Sequence, residues 1–239
     1  DFQKADTDDD GYLDGEEVAS GHDPKKPGPD DKIFPDNITD RLSSLTLSGL
    51  IEGSLKPSSP NYRESLNMVV DDIFMESQKK LLPSFVEIHT VSNTDENFKQ
   101  YGIDTATKLK SILRDQGKRM IEVLNIINNF NFFDKSKDSS SSEANSQYTK
   151  LVSFLSAEIP KMEGEISMLS NAQVPEKFEV SHRKILSSLD TILNSYYAIK
   201  DTRTDPLQAM IALKLIFDIY TEDLPDTLKE MQKLSKSIW

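Results

Sequence analysis

The chain contains no cysteine and only three histidines among its 239 residues. Without thiols no disulfide can staple the fold, and no thiolate can hold zinc or an iron–sulfur cluster. His22, His89 and His182 stand far apart and lack partners at metal-ligand spacing, so the pattern offers no imidazole metal site. Long apolar runs are missing too: none approaches the ~18–20 residues of a membrane span. No signal-peptide pattern stands at the start, and an opening on Asp rather than Met is expected of a mature or excised chain. Catalytic signatures are equally scarce. No serine sits in a Gly-x-Ser-x-Gly turn and no glycine-rich loop is built to cradle phosphate. Asp71, Asp72 and Glu76 bring acids together on one helix, but without Glu-x-x-His partners they read as a solvated face. No basic face is present to replace phosphate counterions, which argues against nucleic acid.

What is abundant is acid, and it is concentrated. Of the net charge of −12, the first 40 residues carry −9, from 13 acidic and 4 basic side chains. Within them, residues 6–17 read DTDDDGYLDGEE. Counted as a twelve-residue calcium loop, Asp6, Asp8, Asp10 and Asp14 fall at positions one, three, five and nine, Gly11 at six and Glu17 at twelve. Calcium is a hard cation that takes six to eight oxygens, so alternating aspartates supply single oxygens from one side and Glu17 offers two from the other. The Tyr12 carbonyl is the position-seven ligand, and Gly11 permits the sharp turn that gathers the set. A merely solvated acidic terminus has no reason to put glycine and glutamate at those two positions. The expected metal ligands are therefore Asp6, Asp8, Asp10, Tyr12, Asp14 and Glu17, the expected cofactor is calcium, and no catalytic residue is expected. There is no room before Asp6 for a full entering helix and no second loop downstream, which argues against a sensor that works by opening helix pairs.

The run DTDDDGYLDGEEVASGHDP, residues 6–24, resembles a unit of the bacterial thrombospondin type 3 repeat, an EF-hand-like module. That resemblance covers about 19 residues and implies calcium binding and a stiffened spacer of secreted or surface proteins. The departure from the family is the single copy. Dockerins are similar but carry two such loops.

Residues 21–38 hold four prolines and two glycines, which places a linker over 25–38 between a calcium unit, 1–24, and the remainder, 39–239. Asn37-Ile38-Thr39 matches a glycosylation sequon, a three-residue pattern that chance supplies often. From Thr39 onward the signal is helical. A first helix is expected over 39–56, stopped by Pro57, and a second from Ser59-Pro60 with Tyr62, Leu66, Val69, Val70, Ile73 and Phe74 on its buried face. Residues 85–91 read as extended chain. A capping box at Asn93 and Glu96 starts a third helix, after which Met120, Ile121, Leu124 and Ile127 continue an apolar face to about Phe130. Residues 134–146 are polar and low in complexity, and read as a loop. A helix over 146–169 contains Pro160, where a kink is expected. Pro175 opens the next, with Phe178, His182, Ile185, Leu189, Ile192, Leu193 and Tyr196 on one face; Asp205-Pro206 opens the last, which Pro225 bends.

Amphipathic helices with narrow apolar stripes bury them against one another, so the fold class is all-α: an antiparallel multi-helix bundle preceded by a short calcium loop and helix. Its order of elements, Val-Pro opening one long helix and Asp-Pro the last, resembles uncharacterised helical domains that follow thrombospondin type 3 repeats in bacterial envelope proteins. Three functions follow as expectations. The first is a non-enzymatic extracellular or cell-envelope protein whose helical domain binds a protein or envelope partner. The second is a helical sensor or carrier of a small molecule. The third is a dockerin-like assembly module. An exposed apolar patch favours the first, an apolar pocket with a few polar groups the second.

Overall fold

Residues spaced three and four apart in apolar character produce helix nearly throughout the computed structural model, which describes residues 4–20, 22–28, 37–83, 87–128 and 142–238. In chain order the helices are α1 (Asp14–Ser20), α2 (Ile38–Glu52), α3 (Tyr62–Leu81), α4 (Asp95–Tyr101), α5 (Thr107–Asn128), α6 (Ser142–Ser170), α7 (Glu179–Lys200), α8 (Pro206–Asp218) and α9 (Leu224–Lys236). Among the described residues the sheet content is one parallel pair, β1 (His89–Val91) with β2 (Gln173–Pro175), in register His89 to Gln173 and Val91 to Pro175. The fold class is all-α, as the stripes require. No helix among the described residues is long and apolar enough to cross a membrane.

The chain forms two compact units, one of Asp1–Lys80 with Asp201–Ile211, the other of Leu81–Lys200 with Ala212–Trp239. The acidic loop and α1 share the first unit with α2 and α3. The expected linker, 25–38, falls inside that unit, and its residues 29–36 lie outside those described.

In the first unit, two helix starts share one carboxylate. The N–H groups of the first turn of a helix have no intrahelical acceptor. Asn37 caps α2 by accepting the Asp40 N–H at 3.0 Å. Asp205 accepts the N–H groups of Ile38 at 2.6 Å and Thr39 at 3.1 Å, and also that of Gln208 in the first turn of α8 at 3.1 Å. The Thr39 hydroxyl donates to Asp205 at 2.6 Å and accepts the Leu207 N–H at 2.9 Å. The sequon asparagine is committed to this junction, since its side-chain amide donates to the Thr204 carbonyl at 2.8 Å.

At its other end α2 stops at Gly53, not at Pro57. Gly53 takes a left-handed conformation with φ 79°, which glycine adopts without a Cβ penalty, and the Leu55 N–H returns to the Gly49 carbonyl at 2.7 Å. Leu55 is thereby folded back and buried over Gly49, where a Cβ would meet its side chain at 2.7 Å. On α3, Ile73 is buried but Val70 is exposed, because the buried stripe is narrower than expected. Asp71 and Asp72 are exposed and Glu76 pairs with Arg41 at 3.1 Å, so these acids form a charged surface.

In the second unit α6 and α7 run antiparallel. The Tyr148 hydroxyl, early in α6, donates to the Lys200 carbonyl at the end of α7, while His182, early in α7, bonds the Leu169 carbonyl at the end of α6. Of the face expected for α7, Phe178, His182, Ile185, Leu189, Ile192 and Tyr196 are buried and Leu193 is half-buried. Helix α6 continues through Pro160 and begins at Ser142; residues 129–141, with Phe132, Phe133 and most of the polar loop, lie outside those described, as does Trp239.

Two expectations are corrected here. The third helix is interrupted: Thr94 caps α4, and a π-helical turn, Gly102–Ala106, separates it from α5. The buried face of α5 is Leu109, Ile112, Gln116, Met120, Val123 and Ile126, whereas Ile121 is 61% exposed and Leu124 37%. The rotation leaves room for Arg119, whose guanidinium bonds Glu158 at 2.7 Å and Glu165 at 2.7 and 3.0 Å. Burial opposes its charge and the bonds to the two glutamates outweigh that, holding it above its ordinary value. The last helix is also two, because a second π-helical turn, Ile219–Asp223, absorbs Pro225. Proline cannot donate back along the helix, and the turn instead carries the Leu224 N–H to the Ile219 carbonyl.

Asp205→Ala removes the shared acceptor of two helix starts. Since one lost cap costs about 1 kcal/mol and bonds to a charged group about 1.5–3, urea unfolding is expected to register a loss of about 2–4 kcal/mol. Asp205→Asn should recover part of it.

Candidate functional site

The acidic loop of the first unit is built by its own backbone. Gly11 has φ 100° and Asp9 φ 65°, and these two left-handed residues turn the chain tightly enough for aspartates two apart to face inward. Asp6 accepts the N–H groups of Asp9 at 2.8 Å and Gly11 at 3.1 Å; Asp10 accepts those of Tyr12 at 3.0 Å and Gly28 at 3.0 Å. Among the described residues, the carboxylates with oxygens all within 4.8 Å of one another are those of Asp6, Asp8 and Asp10. Lys4 pairs with Asp9 at 2.6 Å, a residue outside the expected ligand set. The Asp8 Oδ2 atom is buried and accepts no hydrogen bond among the described residues. Desolvation and the neighbouring Asp10 and Asp6 charges push the Asp8 carboxyl above its ordinary value. Crowded anions with an unmet oxygen are what a hard cation relieves, so these donors fit calcium.

The Asp14 carboxylate is engaged within the loop. Asp14 is turned to Thr7, accepting its N–H and its hydroxyl, both at 2.6 Å. The Thr7 bonds hold the Asp14 carboxyl below its ordinary value. The Asp14 N–H returns to the Ala5 carbonyl at 2.8 Å, closing the loop at the foot of α1. Tyr12 is exposed, and Glu17, in α1, is buried to 2% exposure but does not join the three-carboxylate group.

The second unit holds a feature that periodicity did not announce. A cleft of about 620 Å³ opens between α4, the first π-helical turn and α5 on one side and α9 on the other. Leu109, Leu113, Leu228 and Met231 form its walls. Tyr101 and Phe178 stack at its base, ring centroids 5.2 Å apart. Behind them the Tyr101 hydroxyl bonds His182 Nδ1 at 2.9 Å, and His182 Nε2 bonds the Leu169 carbonyl at 3.0 Å. A carbonyl can only accept, so Nε2 carries the proton and Nδ1 accepts from the tyrosine. His182 is thus a satisfied core histidine, as its place on an apolar face suggests. Gly102 lines the cleft, but Gly117 and Gly164 stand in helices with the same open surroundings and line no part of it, so no local signal in the sequence marks the cleft.

Burial pushes His182 below the ordinary imidazole value of 6.5. A depressed folded value means that the unfolded state binds the proton first. The contribution to stability is complete above 6.5 and is lost as pH falls through the lower folded value. Unfolding midpoints measured from about pH 7 to about pH 5 should fall, and His182→Gln should flatten that slope.

No protein-family model, curated protein or solved structure matches this chain.

Proposed function

We propose that this is a non-enzymatic protein of the cell exterior or envelope, in which a calcium ion clips the N-terminal loop onto a helical domain that meets a protein partner. The observation that carries the metal is the gathering of Asp6, Asp8 and Asp10 oxygens within 4.8 Å around the Gly11 turn. Asp6, Asp8 and Asp10 would hold the ion, with Tyr12, Asp14 and Glu17 completing the set by the loop pattern. When bound, calcium neutralises the repulsion among these carboxylates. A loop with no second such loop downstream of it in this sequence suits a structural clip better than a switch, and the likeness of residues 6–24 to a thrombospondin type 3 repeat supports the same reading. An isolated site of this kind binds on the ~0.1–1 mM scale, which fits a calcium-rich exterior.

For the partner, α2 offers Leu47, Leu50 and Ile51 at the spacing of one helical stripe, all exposed, with Ile51 at 71%. Such a stripe is suited to a groove on another protein. A specific observation favours a second reading, a small-molecule carrier: the cleft of the second unit is concave, apolar and of ligand size.

Isothermal calorimetry with calcium tests the clip. Heat is expected for the native chain at sub-millimolar to millimolar affinity, about tenfold weaker or absent in Asp10→Ala and Glu17→Ala. No heat, or heat unchanged by both substitutions, overturns the proposal.

A further inference from the structure

We infer that the cleft of the second unit binds a small amphiphile with one negatively charged head, of the medium-chain fatty-acid class. The inference rests on the carrier reading and adds the chemistry of the ligand. Its first support is charge. The chain has 40 acidic and 28 basic residues, yet among the described residues the charged ones lining this cleft are Lys99 and Lys110, with no acid. Both lysines are exposed, and neither makes an ion pair among the described residues. Two uncompensated cations beside an apolar cavity select an anionic head over a neutral or cationic one.

The second support is an unmet hydroxyl. Thr105 lines the cleft, is 2% exposed, and its Oγ1 makes no hydrogen bond among the described residues. Buried hydroxyls rarely stand unsatisfied, because each forfeits the hydrogen bonds it made in water. The oxygen itself has no surface open to the cleft, so it marks incomplete packing of this wall and not a contact for the head. The residue lies in the first π-helical turn, an irregularity that recurs at functional sites and that here opens the wall between α4 and α5. The third support is space. Gly102 lines the cleft with a helical φ of −60°, and a side-chain Cβ placed there would meet nothing within 4 Å.

Calorimetry on the full chain, with dodecanoate, dodecanol and dodecyltrimethylammonium as probes, holds the tail constant and varies the head. Dodecanoate is expected to bind most tightly. Lys99→Gln with Lys110→Gln should weaken dodecanoate by about three- to tenfold and leave dodecanol unchanged, as two exposed charges warrant. Gly102→Phe, which fills the cleft without backbone strain, should abolish binding of every probe while circular dichroism and the unfolding midpoint stay native. If dodecanol binds as well as dodecanoate and the lysine changes have no effect, the acidic head is overturned and the carrier reading stands. If no probe binds the folded chain, or Gly102→Phe binds them normally, both are overturned, and the cleft is left to a peptide segment or to solvent.

Discussion

The first unit depends on one carboxylate. Asp205 meets Ile38 and Thr39 across 167 and 166 residues of sequence and caps α8 at the same time. Two helix starts point their unpaired N–H groups and positive dipole ends at the same place, and a single negative charge satisfies both. Thr39 closes the circuit from the other side by donating to Asp205 and accepting from Leu207. Without a shared acceptor, these N–H groups would have to find water in a buried junction.

The second unit solves a related problem with π-helical turns. Where α4 meets α5, and where α8 meets α9, the chain changes helical register without leaving helix. One change accommodates Pro225. The other places Gly102 and Thr105 of the Gly102–Ala106 segment in the wall of the cleft. Helix α5 also buries Arg119 between Glu158 and Glu165, a charge that remains in the interior because two carboxylates flank it.

The two candidate sites differ in how much of each was legible. The acidic loop is local chemistry: twelve consecutive residues contain their own carboxylates and their own turn, so the pattern of Asp6, Asp8, Asp10 and Gly11 could be read directly, and those three aspartates do converge. The bond of Asp14 to Thr7 was not legible, because a short side chain that serves as either ligand or latch looks the same in sequence. The cleft was invisible for a different reason. Its walls come from residues near 100, 178 and 230, and nothing in any one helix says that its neighbours will stop short of filling the space.

By itself, the sequence determined helix throughout, the buried face of α7, the capping role of Asp205 toward α8, and the oxygen-rich loop, since periodicity, capping and ligand spacing act over a few residues. Only the tertiary structure decided that Asp205 also serves α2, that Gly53 rather than Pro57 ends that helix, that α5 turns Val123 and Ile126 inward in place of Ile121 and Leu124, and that an apolar cleft with two lysines remains open. Those outcomes turn on partners distant in the chain, and packing among them chooses between local alternatives of nearly equal free energy.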